Sequence, residues 1–167
     1  MSNSRPRIKV PLQFIDLIIE LSSIAIILLM WCYCIINYAD LPDTIATHFN
    51  GLVEPDGFGN KLTIWIIPII ATVIYVGLFI LNKYPYMHNY MVNITQDNAL
   101  KNYRLNTRVL RVINFLCALL MTYLTYMIVE SAFGKQFNLG TWFVPIVIGV
   151  SIILPIVLVF YMRKLNK

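Results

Sequence analysis

Four carboxylates and one imidazole share the stretch 38–61: Asp40, Asp43, His48, Glu54 and Asp56. A histidine among carboxylates has the composition of a divalent-cation site, or of a His–carboxylate pair that exchanges protons with water. Asp43, His48 and Asp56 are the candidate metal ligands, and Glu130 is expected at a similar depth. The spacing contains no His-x-x-x-His, cysteine pair or calcium-loop pattern. No serine elbow, phosphate-binding glycine loop or zincin motif accompanies it. The same side chains also have structural uses. Asp43 can cap a helix, Asp56 can sit in a turn, Glu54 can stay in water, and His48 can fasten the loop to a carboxylate. Both readings stay open. No catalytic residue is assigned, no resident cofactor is expected, and a divalent metal is left as an alternative.

The elements that must position these residues follow from composition. The chain has 167 residues, of which 59% are apolar and only 13% charged. A mean hydropathy of +0.71 excludes an ordinary water-soluble globule, which needs more polar side chains to coat it. Four runs, 17–36, 62–81, 112–129 and 141–162, have about the 20 apolar residues that cross a bilayer core. Backbone in hydrocarbon must bond to itself, so each run is expected to be a helix. The fold class is an all-α integral membrane protein, with one four-helix domain over residues 1–167. The first run is too long for the apolar core of a signal peptide and lacks a small-x-small cleavage site, so it is read as retained.

Charge placement sets the direction. Eleven Lys and Arg lie in the N-terminal tail, the connection 83–111 and the C-terminal tail, against two in 38–61 and 131–140. The positive-inside rule then places both termini in the cytoplasm of a cell (inner) membrane and loop 38–61 outside. The net charge of +5 is thus a topology signal with affinity for anionic lipid heads, and no nucleic-acid partner is expected. Trp31, Trp65 and Trp142 fall at outer helix ends, as an interfacial aromatic belt requires. Cys32, Cys34 and Cys117 are read as small apolar packers.

In the outer loop, Pro42 and Asp43 start a short helix toward Phe49, with Leu41, Ile45 and Phe49 on one face dipping into the membrane interface. Asn50-Gly51 is a turn, Pro55-Asp56-Gly57 a second, Gly59 a third change of direction, and Asn60 caps helix 2. In the inner connection, Thr95 caps a helix from Gln96 that runs on into helix 3. On it Lys101, Arg104, Arg108 and Arg111 form a mostly one-sided basic stripe, held on anionic lipid or docking a cytoplasmic regulator. Asp16 and Glu20 stand four apart near the start of helix 1, where Glu20 can pair with Arg104, Arg108 or Arg111. Pro68, Pro145 and Pro155 are expected to kink or unwind helices 2 and 4.

Leu41-Pro42-Asp43-x-Ile45-x-x-His48-Phe49-Asn50, followed by Glu54-Pro55-Asp56-Gly57-x-Gly59-x-Lys61, resembles the signature of a bacterial membrane domain of unknown function. That domain forms the N-terminal part of the sporulation-delaying-protein immunity family, SdpI. Asn89-Tyr90-x-Val92-x-Ile94-Thr95-x-x-Asn98 and Tyr103-Arg104-Leu105 resemble the family's segment after its second helix. The chain departs from the pattern at Ala46 and Met91, where the family usually has Pro, at Val53, where it usually has Gly, and at Asn60, where it usually has Ser. The resemblance implies a non-enzymatic immunity-like protein. Pro42, Asp43, His48, Phe49, Asn50, Glu54, Pro55, Asp56, Gly57, Gly59 and Lys61 would then meet an extracytoplasmic peptide or toxin. Asn89, Tyr90, Thr95, Asn98, Tyr103, Arg104 and Arg108 would dock a cytoplasmic regulator. Besides the lipid bilayer, the competing readings are an outer-face metal protein or membrane enzyme, and a small transporter.

Overall fold

The computed structural model describes residues 5–52, 54–135 and 143–166. They contain four helices long and apolar enough to cross a membrane. These are α1 (Phe14–Asn37), α2 (Ile66–Leu81), α3 (Gln96–Ala132) and α4 (Phe143–Leu165). Trp142, Val53 and residues 136–140 of the 131–140 connection lie outside the described residues.

α3 is the central post. At 37 residues it is about 55 Å long, well beyond a bilayer core of about 30 Å, so part of it must protrude. The Gln96 start expected from sequence is where it begins, with Thr95 N–H donating to Asn98 Oδ1 at 2.9 Å in a capping box. α3 packs mainly on α1 and then on α2, while α1 and α2 touch each other only slightly. The buried stripe on α1 is Asp16, Ser23, Ile27, Met30 and Cys34. On α3 it meets Ala118, beside Ile27 and Met30, and Val129, beside Cys34. Small residues such as Ser23, Cys34 and Ala118 among them let the two helices approach closely. Asn114 Nδ2 donates to the Tyr75 carbonyl at 3.2 Å and ties α3 to α2. The outward faces of α1, α2 and α4 are lined with exposed Leu, Ile, Val and Phe, a surface suited to lipid.

α2 departs from the expected span at its start. Residues Lys61–Trp65 form a 3₁₀ helix, and the α-helix begins only at Ile66. Pro68 explains the change, since it has no N–H to donate back to Ile64 and its ring crowds that carbonyl. Pro68 therefore sits in the first turn of α2 rather than at a break inside it. α4 runs as one helix through Pro155. It meets α3 at its last turn, where Asn166 and Asn102 exchange side-chain hydrogen bonds of 2.9 and 3.0 Å.

Two ion pairs clasp α1 to α3. Arg108 Nε donates to Asp16 Oδ1 at 2.7 Å, and Arg111 Nε to Glu20 Oε2 at 2.9 Å. Arg108 also reaches Gln13 Oε1 and Asp16 Oδ2. The spacing of four on α1 and three on α3 stacks the pairs one turn apart. Asp16 is only 3% exposed, so removing its partner strands a charge. We predict that Arg108→Leu lowers stability by about 3 kcal/mol, and that Asp16→Asn with Arg108→Gln recovers much of the loss. Denaturation of the purified chain in detergent measures both; an Arg108→Leu protein as stable as wild type refutes the clasp.

Candidate functional site

The motif segment folds as a β-hairpin. β1 (Thr44–Phe49) and β2 (Pro55–Asn60) pair antiparallel in a two-stranded sheet. This replaces the short helix expected from Asp43 to Phe49. It also makes a strand of Pro55-Asp56-Gly57 and Gly59, which were expected to turn. Thr44, Ile45 and Thr47 are β-branched and stiff at χ1, which disfavours helix and suits a pleated surface. The decisive factor is the pairing partner, which no local propensity reveals.

The turn is built by Asn50. Its Oδ1 accepts from Leu52 N–H at 2.9 Å and from Glu54 N–H at 3.0 Å, while its own N–H donates to the Glu54 carbonyl at 2.9 Å. Asn side chains favour this kind of local bond to the backbone. Asn50 Nδ2 adds a 3.2 Å bond to the Glu54 carboxylate. Asn50 and Glu54 thus serve the turn.

Lys61 staples the hairpin base. Its N–H donates to the Asp43 carbonyl at 3.0 Å, its Nζ lies 3.3 Å from both the Leu41 carbonyl and Asp43 Oδ1, and the ammonium rests over the Tyr38 ring. Asp43 is engaged here. Pro42 is exposed beside it. Leu41 and Ile45, 3% and 1% exposed, are buried with Cys34, Ile64, Ile128 and Val129, and Phe49 packs against that cluster. The face expected to dip into the membrane interface therefore rests on the ends of the protein's own helices. Trp31 and Trp65 stack at the same end, their centroids 5.9 Å apart.

Two irregularities in the register aim the polar residues. Ala46 pairs with Phe58 and His48 with Gly57, leaving Thr47 extra on β1; Phe49 then pairs with Pro55, leaving Asp56 extra on β2. Bulges of this kind bend the strand and re-aim side chains. Here they bring His48 Nδ1 within 2.5 Å of Asp56 Oδ1 on the outward surface. The pair supplies two donors. Among the described residues, no three His, Cys, Asp or Glu side chains converge on one point, and zinc ordinarily takes at least three protein ligands. Glu130 stands apart: Tyr33 Oη donates to it at 2.6 Å and Lys135 pairs with it. The carboxylate so bonded holds the Lys135 ammonium above its ordinary pKa.

At the opposite end of the helices, the inner candidates are largely engaged within the protein. Tyr103 is fully buried, its hydroxyl donating to the Pro6 carbonyl at 3.0 Å. Tyr90 packs at a tilt against Tyr103 and donates to the Pro85 carbonyl at 2.8 Å, and burial pushes its hydroxyl up to about 12. Asn98 bonds the Asn93 carbonyl at 2.9 Å, and Arg108 faces Asp16. Arg104 is half-buried, while Asn89 and Thr95 stay exposed. Of the basic stripe, Arg108 and Arg111 turn inward toward α1. The N-terminal strap escaped sequence reasoning. Arg5 Nη1 donates to the His88 carbonyl at 2.5 Å and lies over the Tyr90 ring, and Arg7 lies over Tyr86. The signal for it is the abundance of tyrosines in 84–103, which offer ring faces to cations.

The family described as a domain of unknown function, DUF1648, matches residues 25–72. The match runs from within α1 through the hairpin to the first turns of α2. An uncharacterised protein of Archaeoglobus fulgidus is 35% identical over 80 residues, covering 43% of this chain and 43% of that protein. The chain thus spans less than half the length of this relative. No solved structure matches it.

Close approach explains two glycines of the matched segment. A Cβ at Gly57 would lie 2.9 Å from His48 Cβ, and one at Gly59 2.9 Å from Thr47 Cγ2. The first collision is with an atom fixed to the backbone, the second with a terminal methyl. We predict that Gly57→Ala costs about 1–3 kcal/mol and Gly59→Ala less, with Thr47→Ser relieving only the latter. Hydrogen exchange across 44–60 reads the effect; relief of Gly57→Ala by Thr47→Ser contradicts this packing.

Proposed function

We propose that this chain is a non-enzymatic, immunity-protein-like membrane protein whose hairpin recognises an extracytoplasmic peptide or toxin. One observation carries the reading. The hairpin is anchored by Leu41 and Ile45 yet presents His48, Asp56 and a 65% exposed Phe58 outward. β2 has no second strand beside it among the described residues. A free edge offers unpaired N–H and C=O groups to an extended peptide, and neighbouring side chains supply selectivity. An aromatic flanked by a His–carboxylate pair suits a peptide with both apolar and polar groups. The motif's resemblance to the SdpI immunity family supports the same reading. On the far side, exposed Asn89, Thr95 and Lys101 would meet a cytoplasmic regulator.

The excess of Lys and Arg at the far end supports a cell-membrane orientation with the hairpin outside and both termini inside. Cysteine introduced at Leu52 in a background free of native cysteines should react with an impermeant maleimide on intact cells, and cysteine at Met87 only after permeabilisation. The reverse pattern inverts the orientation.

Cells expressing the chain should survive challenge with the sporulation-delaying peptide toxin better than cells without it. His48→Ala or Asp56→Ala should reduce that protection about tenfold at unchanged protein level. Equal survival with and without the chain removes the immunity reading.

A further inference from the structure

A cavity of about 440 Å³ opens at the end of the helices opposite the hairpin. It is walled by the N-terminal strap, the start of α1, the end of α2 and α3 near Thr107. Val10, Leu12, Leu17 and Phe79 give it a mainly apolar wall. Its charges are Lys9, Lys83, Arg111 and Glu20. Arg111 is matched by Glu20 at 2.9 Å, and among the described residues neither Lys9 nor Lys83 has an ion-pair partner. Lys83 lies over the Phe79 ring, on the cavity wall. The site therefore carries two uncompensated positive charges.

Asn82 adds a more specific feature. Its Nδ2 donates to the Thr107 carbonyl at 3.1 Å, which fixes the amide's orientation. Asn82 lines the cavity, and among the described residues its buried Oδ1 has no donor. A buried acceptor without a partner costs free energy, so the cavity's occupant is expected to bring an O–H or N–H.

We propose that this cavity holds one anionic phospholipid with hydroxyls on its headgroup. Lys9 and Lys83 would bind the phosphate, Asn82 Oδ1 would accept from a headgroup hydroxyl, and the acyl chains would enter between Leu17 and Phe79. A free phosphate has no use for the apolar wall, and an uncharged lipid has none for the lysines. The cavity is too small for a whole lipid, and the exposed apolar surface beyond it, including Leu21 at 56%, continues the path for the chains. The ends of spanning helices lie at headgroup depth, where basic side chains attract anionic lipid. The proposal is independent of what the hairpin binds.

Native mass spectrometry of the delipidated full chain in detergent tests it, with phosphatidylglycerol and phosphatidylcholine of matched chains as probes. One phosphatidylglycerol should be retained in preference to phosphatidylcholine. Lys9→Gln with Lys83→Gln should weaken its retention about thirtyfold. Arg163→Gln with Lys164→Gln, which removes equal charge elsewhere, should leave it unchanged. Asn82→Leu should narrow the difference between phosphatidylglycerol and phosphatidic acid. Equal retention of the charged and neutral lipids overturns the proposal. So does equal loss in both charge-removal variants, which means general attraction to basic surface. Displacement of the lipid by millimolar inorganic phosphate also overturns it, because the site then serves a small anion.

Discussion

The two ion pairs between α1 and α3 set the geometry on which both ends of the molecule depend. A carboxylate set among apolar helices is tolerable only when a cation and further donors face it. Asp16 and Glu20 meet Arg108 and Arg111 at 2.7 and 2.9 Å, with Gln13 completing the shell around Arg108. Two contacts a turn apart fix rotation and register together, because sliding by one residue breaks both. A seam of small residues alone would leave that register weakly specified. The basic residues that mark one end of the chain for topology are partly the residues that hold it together.

With α1 and α3 aligned, their far ends form a shelf for the hairpin. Cys34 from α1 and Ile128 and Val129 from α3 create an apolar patch into which Leu41 and Ile45 insert. A two-stranded hairpin alone is marginal in water. This one is held by the shelf, by the Lys61 staple and by the Asn50 turn, which together leave His48, Asp56 and Phe58 facing outward. The two bulges follow from the same constraint. The inward residues must keep their places on the shelf, so the irregularity falls where His48 and Asp56 face away from it.

At the other end, the Glu20–Arg111 pair is both part of the clasp and part of a cavity wall. The N-terminal strap, tied down by Arg5, Arg7 and the Tyr103 hydroxyl, supplies the opposite wall. Basic residues at this end therefore divide into two groups. Arg108 and Arg111 are engaged by α1, while among the described residues Lys9 and Lys83 have no ion-pair partner.

The sequence by itself determined that four helices are long and apolar enough to cross a membrane, that a helix from Gln96 runs unbroken into the third span, and that 38–61 bears the motif. Hydropathy, caps and charge counts act over short stretches of chain, so these properties were legible without a fold. The same reasoning misread Thr44–Phe49 as helix, because a strand exists only through its partner, here Pro55–Asn60 on the other side of the turn. It grouped Lys101, Arg104, Arg108 and Arg111 as one stripe and offered three arginines as partners for Glu20, since helical spacing cannot say that Arg111 is the one that meets it. The strap, the 3₁₀ turn before Pro68, the choice of Asp56 as the carboxylate that His48 meets and the cavity beside Asn82 were decided by tertiary structure alone. Each depends on groups far apart in the chain brought within a few ångströms, and that proximity is set by packing rather than by local spacing.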